Sequence, residues 1–458
     1  MLVSALCLLA LMSPLLHGGD YSRGKYDPDN AYDAPIPGWV GPAGEGGVPL
    51  PDEYGNPTVN IGNYINPVFV GWAYYYDEEG TIYPGVAYEP SVEGYYWPWS
   101  EPVMAEGPLF PYINDVCSLG GYAPGQDTAE VEPGYITLYF RKPVRDVPGA
   151  DLVVFENAIF SESELGEDGG DPGEGIGGVF AELAYVEVSS DGVHFARFPS
   201  VSLTEAAYGP NGSLDPTNVY NLAGKHVNNQ GECWGTPFDL ASLRQEDLTY
   251  LDDEDIERQV DINNIRYIRI VDIPGDGSRL DSLGNSIYDP YPTNIYNEGT
   301  GGFDLDAIGV IGQERGFYDW SGTTAMNPLD DDDGDGVVNL LEYAFDMNPA
   351  APDAGNLPRM QLVDGKPQLS FRRDVRNSDI TYVLEATDSL SPVAWYEVAR
   401  VEAFSDPVVS LPGLEATTSA ESRHTQATLG VWQTVSFTDL SADTTRFYRV
   451  RIDWVDAQ

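Results

Sequence analysis

The sequence predicts an all-β protein: a jelly-roll sandwich, a connector with one short helix, and a smaller C-terminal sandwich. Three observations point there. Short runs of β-branched and aromatic residues, bounded by turn formers, follow one another along most of the chain. Gly (49) and Pro (35) are abundant and spread out, which favours turns over long helices. No segment between the strand runs carries an extended helical period. At 458 residues, 42% of them hydrophobic, the chain is long enough for two or three domains with real cores.

The chain opens on MLVSALCLLALMSPLLHGG. Its apolar stretch from Leu2 to Leu16 suits a signal-peptide core and is short for a membrane span, although no Lys or Arg precedes it. Residues 1–19 are therefore expected to be a leader. The mature chain is expected to be secreted, extracellular or at the cell surface, with no membrane insertion after leader removal. Residues 20–312 form the first unit. It starts with a segment rich in Pro, Gly and Tyr and poor in strand signals, up to Pro111. Strand runs then follow: GYITLYF (134–140), DLVVFENAIF (151–160), IRYIRIVDI (265–273) and FDLDAIGVIG (303–312). AELAYVEVSSDGVHFARF (181–198) reads as a hairpin turning at Asp191-Gly192. In 265–273, Ile268 and Ile270 fall on one face and Tyr267, Arg269 and Val271 on the other.

Residues 313–356 read as a linker. From 357 to 458, KPQLSFRR, ITYVLEATDSL, AWYEVARV, TVSFTDL and RFYRVRIDW give at least five strands, as a small sandwich requires.

Charge bounds the partners. With 73 acidic and 23 basic residues the net charge is -50. Such a surface repels phosphate backbones, and no basic footprint marks a nucleic-acid site. Anionic membranes are disfavoured for the same reason. Two readings of the acidity stay open: cation binding, or solubility in a salty habitat.

The connector contains DDDDGDGVVNLLEYAF (330–345). A calcium loop of the EF-hand type needs oxygen ligands at positions 1, 3, 5, 7, 9 and 12, with Gly at 6. Setting Gly336 at position 6 puts Asp331, Asp333 and Asp335 at 1, 3 and 5. The Val337 carbonyl falls at 7, Asn339 at 9 and Glu342 at 12. Moving the register to Gly334 puts Leu340 at 12 and fails. Asp330 and Asp332 are expected to face solvent. Gly322 and Pro328 argue against an entering helix, so this is half an EF-hand with an exit helix along VVNLLEYAFDM. The stretch resembles the open calcium loops of dockerins and thrombospondin type 3 repeats, which implies a calcium-set joint between extracellular β domains.

DLVVFENAIF, VEVSSDG followed by an aromatic, GNSIYDPYPT and FDLDAIGV together resemble bacterial cell-surface proteins with a galactose-binding or discoidin-like jelly roll, over about residues 115–312. The tail resembles fibronectin-III-like modules. The first resemblance implies a structural calcium near the terminal strands. Asp272, Asp276, Asp281, Asp289, Asp304 and Asp306 are the candidates, with turn formation as the alternative role for each.

Trp72, Tyr95, Tyr96, Trp97 and Trp99 belong to an aromatic-rich stretch (71–100). It reads either as a glycan-binding surface or as a clamp holding a strand-poor segment onto the sandwich. Cys117 and Cys233 permit one disulfide, or stay as buried thiols. Four His and no nucleophile signature give little support to catalysis. A carboxylate pair for glycoside hydrolysis would be sought at Glu156 and Glu187. The resulting expectation is a secreted, calcium-binding, non-catalytic cell-surface protein that binds a glycan or a surface partner. The alternatives are a structural adhesin or envelope component, and a glycan-active hydrolase.

Overall fold

A computed structural model describes residues 21, 36–37, 68–74, 117–119, 133–156, 158–160, 178–206, 209, 212–226, 234–252, 254–291, 302–353, 357–420, 431–441 and 445–456. The leader, Cys233 and the aromatics Tyr95, Tyr96, Trp97 and Trp99 lie outside these residues. The fold is predominantly β, as the sequence predicts. Among the described residues no helix is long and apolar enough to cross a membrane.

The larger unit is built from two main sheets. One is four-stranded, in the order Tyr135–Val144, Ile265–Asp272, Ala184–Ser189, Ala196–Arg197. The other contains Trp234–Phe238, Leu152–Glu156 and Asp304–Val310 as neighbours, with Gly71–Trp72 and Cys117–Ser118 both pairing with Asp304–Val310. The central pairings are antiparallel. Period-2 alternation decides what lies between the sheets. Ile268 and Ile270, with Ile136, Leu138, Val186 and Val188, turn inward to meet Leu152, Val154, Ile308 and Val310. Tyr267 and Arg269 stay half-buried on the outer face. The expected hairpin forms, with Glu187 opposite Arg197. Its turn is set by Asp191, whose Oδ1 accepts the N–H groups of Val193 and His194.

The tail consists of two four-stranded sheets, Arg359–Val363, Lys366–Asp374, Trp432–Asp439, Leu414–Ala420 and Val408–Val409, Tyr396–Val401, Ile380–Thr387, Phe447–Trp454. Its core takes in the connector. Phe317, Val337, Tyr343, Phe345 and Met347 pack with Phe371, Tyr382, Val435 and Phe437. The helix after the acidic loop, Asn339–Ala344, is thus seated on the tail sandwich rather than suspended between units.

The two units also meet directly. Leu152–Glu156 is buried along its whole length. Leu152 and Val154 face the inner core, while Val153 and Phe155 join a second cluster with Val68, Phe69, Ala307 and Ile311. Val375, Val431 and Trp432 of the tail complete that cluster. Beside it, Arg376 is fully buried and clamps Asp374 through two bonds of 2.9 and 2.6 Å. Its Nη1 also donates to the carbonyls of Val68 (2.6 Å) and Ile311 (3.3 Å) in the larger unit. Arg315 adds a third contact to Asp374 at 3.1 Å. Burial alone would raise the Asp374 carboxyl, but Arg315 and Arg376 hold it well below the usual carboxylate range.

Candidate metal centre

The acidic loop folds around its own carboxylates. Oδ1 and Oδ2 of Asp331 accept the N–H groups of Gly334 (2.8 Å) and Gly336 (3.0 Å). Asp333 Oδ1 accepts from Asp335 N, and Asp335 Oδ1 from Val337 N. Gly336 sits at φ 94, a left-handed conformation that explains why position 6 of the loop needs a glycine. Asp330 and Asp332 are exposed, and the Asp330 side chain accepts only from Asn327 among the bonds described.

Two sets of oxygens converge. Asp331, Asp333 and Asp335 each offer an oxygen within 4.8 Å of the others, and so do Asp335, Glu342 and Asp353. Asp335 belongs to both sets, so the two make one constellation. Glu342 is fully buried, and neither of its carboxylate oxygens has a hydrogen-bond partner. Asn339 is equally buried. Its Nδ2 is tied to the Asn327 carbonyl at 2.9 Å, which leaves Oδ1 as a free acceptor. Oδ2 of Asp333 is likewise without a partner. Burial first, then Asp333, Asp335, Asp353 and Asp331, push the Glu342 carboxyl up to about 7. Burial, opposed by the Asp335 N–H, also raises the Asp333 carboxyl.

Orphaned, buried oxygens among like charges are costly unless a cation neutralises them. The donor set is all oxygen, carboxylate and amide, which suits a hard divalent cation with a flexible coordination shell. The residues present fit that group. Asp353 is the member that loop spacing does not reveal. It follows Glu342 by eleven positions, beyond the twelve-residue register, and is brought back when its backbone N–H donates to Asp335 Oδ2 (3.0 Å). Its own Oδ2 accepts from Asn348 N. Val337 is buried in the tail core, and its carbonyl remains the group that the register assigns.

The six aspartates of the larger unit separate. Asp281 accepts the N–H groups of Leu283 and Asn285, and Asp276 that of Ser278, which are turn-forming roles; Asp281 also accepts the N–H of the distant Ser202. Asp272 and Asp289 are buried and cap the N–H groups of Phe303 and Leu183. Burial first, and then neighbouring carboxylates, raise both well above the ordinary range. Asp306 is buried in the Asp304–Val310 strand, and Asp304 at its start is half-buried. Asp304 bears on Glu182, also buried and raised, and on Asp272. None of the six belongs to a metal-sized group of oxygens among the described residues.

Asp146, Asp151 and Asp239 do form such a group, which the sequence does not single out. Asp151 uses both oxygens on backbone, accepting Val147 N and Leu240 N at 2.7 Å each. It staples two loops.

Trp72 packs against Phe69 and Phe155 at the junction of the two units. Cys117 is a buried free thiol, pushed up to about 12 by burial and then by Asp304. Its expected partner Cys233 lies outside the described residues. Glu156 and Glu187 sit in different sheets. Glu187 is held on the outer face by Arg197 and Arg269, so the two do not line one cleft. Neither protein-family models, nor curated proteins, nor solved structures yield a match to this chain.

Proposed function

We propose that the chain is a secreted, calcium-braced surface protein without catalytic activity, whose larger unit binds a glycan or a cell-surface partner. In finer terms, the larger unit is read as a jelly roll and the tail as a fibronectin-III-like module. The observation that carries the calcium reading is the Glu342 carboxylate: fully buried, with both oxygens unpartnered, beside Asp335 and Asp353. The side-chain ligands would be Asp331, Asp333, Asp335, Asn339, Glu342 and Asp353, with the Val337 carbonyl. Calcium would then fix the end of the loop against the tail core through the Asn339–Ala344 helix. The net charge of -50 supports a cation-binding, non-nucleic-acid role. The fused junction of the two units also suits the second reading, a load-bearing envelope component.

Calorimetric titration of the chelator-stripped protein with calcium tests the metal. Saturable binding that Glu342→Gln abolishes is expected, and no heat above dilution would sink the assignment. A glycan array with and without calcium tests the partner, and blank arrays under both conditions would remove the lectin-like reading.

A further inference from the structure

The first hairpin of the tail leaves open a kind of strand edge that folded chains usually protect. Arg359–Val363 pairs on one side with Lys366–Asp374, across a tight turn at Asp364-Gly365. Both turn residues sit at positive φ, 52 and 77, as a two-residue hairpin turn requires. Among the described residues no strand pairs with the other side of Arg359–Val363, which ends its sheet. The strand holds no Pro and no acidic residue, and its one charge is Arg359, which already has a partner in its own chain. Met360 lies opposite Leu369 of the tail core, so Met360 and Leu362 point to the core side of the sheet. The cover of that core stops short of them, and they are 50% and 73% exposed.

The turn also fixes the phase of the backbone hydrogen bonds. Val363 and Lys366 close it as a bonded pair, and bonded and non-bonded pairs then alternate along the ladder. Arg359, Gln361 and Val363 therefore spend their N–H and C=O groups on Lys366–Asp374, while Met360 and Leu362 turn theirs outward. Pro367, which has no N–H, stands opposite Leu362, where none is needed. The open edge thus offers two donors and two acceptors beside two apolar side chains.

We propose that Arg359–Val363 is the contact through which two copies of this chain associate, antiparallel about a two-fold axis at Gln361. That register sets Met360 opposite Leu362 of the second copy, and Leu362 opposite the second copy's Met360. Each pair exchanges two backbone bonds, because both members direct their N–H and C=O groups outward, and each adds an apolar cross-strand contact. The strand is its own match in hydrogen-bond phase and in side chains. Asp364 of each copy falls beside Arg359 of the other, so opposite charges are aligned at both ends. The turn lies at the far end of Lys366–Asp374 from Asp374, where Arg376 bridges to the larger unit, so the paired edges lie away from that junction. A contact of five residues at about 3.3 Å each is about 17 Å long, the small end of specific interfaces, so micromolar association is expected.

The test uses the full chain saturated with calcium, in about 0.15 M salt, where a Debye length of about 8 Å screens the net charge of -50 on each copy. Sedimentation equilibrium from about 1 to about 500 μM is expected to show a reversible monomer–dimer equilibrium. A monomer at every concentration, or growth into larger assemblies, would overturn the proposal. Leu362→Pro removes an outward donor but no bond to Lys366–Asp374, and edge strands tolerate Pro. That variant and Leu362→Lys are each expected to weaken dimerisation at least about tenfold, with thermal melts to confirm folding. Undiminished dimerisation in variants that melt normally would remove this edge from the contact. Cross-linking checks the register. The axis makes the two copies of residue 361 a non-bonded pair with Cα atoms about 4.5 Å apart, within disulfide reach. Under mild oxidation Gln361→Cys is expected to give at least about tenfold more covalent dimer than the unaltered protein or Val363→Cys, whose two copies would stand more than about 13 Å apart. Equal yields from Gln361→Cys and Val363→Cys would refute the two-fold axis at Gln361.

Discussion

The backbone N–H of Asp353 donates to Oδ2 of Asp335 across 3.0 Å, so a residue 18 positions further on closes the acidic loop from outside its own register. That contact separates a plain twelve-residue loop from the site seen here, and it can be tested.

With calcium at about a hundred times its Kd, a site present only in the folded chain adds about 2.7 kcal/mol of stability. Asp353→Asn is expected to shrink the calcium-dependent rise in Tm, while Asp330→Asn, on an exposed side chain, is expected to leave it intact. Equal responses from the two variants in differential scanning calorimetry would remove Asp353 from the ligand set.

Arg376 and Asp374 form a fully buried pair at the junction. Arg376→Met leaves Arg315 as the one guanidinium that the described contacts place on Asp374 and removes the bond to the Val68 carbonyl, so a loss of about 3–5 kcal/mol is expected in urea unfolding. Removing both charges together, with Asp374→Leu, is expected to restore part of that loss. Additive losses would show that the pair does not act as a unit.

Asp239 caps the short helical turn Leu240–Ser242 by accepting Ala241 N at 2.8 Å. Burial, countered by that N–H and reinforced by Asp146, pushes its carboxyl up to about 6, against about 3.9 in an unfolded chain. Between about pH 4 and pH 6 the folded chain keeps a proton that the unfolded chain has released. Folding is therefore favoured at the acid end, and this contribution declines as pH rises through the window. Asn caps as well as Asp but does not titrate. With chelator present, Asp239→Asn is expected to gain on the unaltered protein from pH 4 to 6 and to level off above. Parallel stability curves would refute the shift.

Phe155 packs against both Phe69 and Trp72 in the cluster shared by the two units. Phe155→Ala is expected to cost about 3–5 kcal/mol. Because tail residues complete that cluster, calorimetry is expected to show the melting of both units shifting together. A shift confined to one transition would mean that the units are energetically separate.

Local features were the legible ones. The alternation of Ile268 and Ile270 against Tyr267 and Arg269, the Asp191-Gly192 turn and the all-β class follow from spacing, because side-chain direction repeats every two residues along a strand. The loop register likewise rests on intervals inside one short segment. What spacing does not carry is the long-range partner. Asp353 joins the site through a backbone contact, not a motif position. Arg197 and Arg269 come from distant strands and are brought together only because Glu187 pairs with both. Arg376 reads as an ordinary charge near a strand end. Only the approach of Val68 and Ile311 makes it a buried bridge. The even run Leu-Val-Val-Phe-Glu announces a strand covered on both faces, but not that the second cover is another unit of the chain.

Leu152–Glu156 is a party wall: one strand serves as a boundary of two rooms. A chain cut near residue 357 would leave Val153, Phe155 and Ile311 facing water where Val375, Val431 and Trp432 had stood. The excised larger unit would carry a sticky apolar scar, so dissecting this protein into halves would manufacture an adhesive surface where the whole molecule keeps this junction covered.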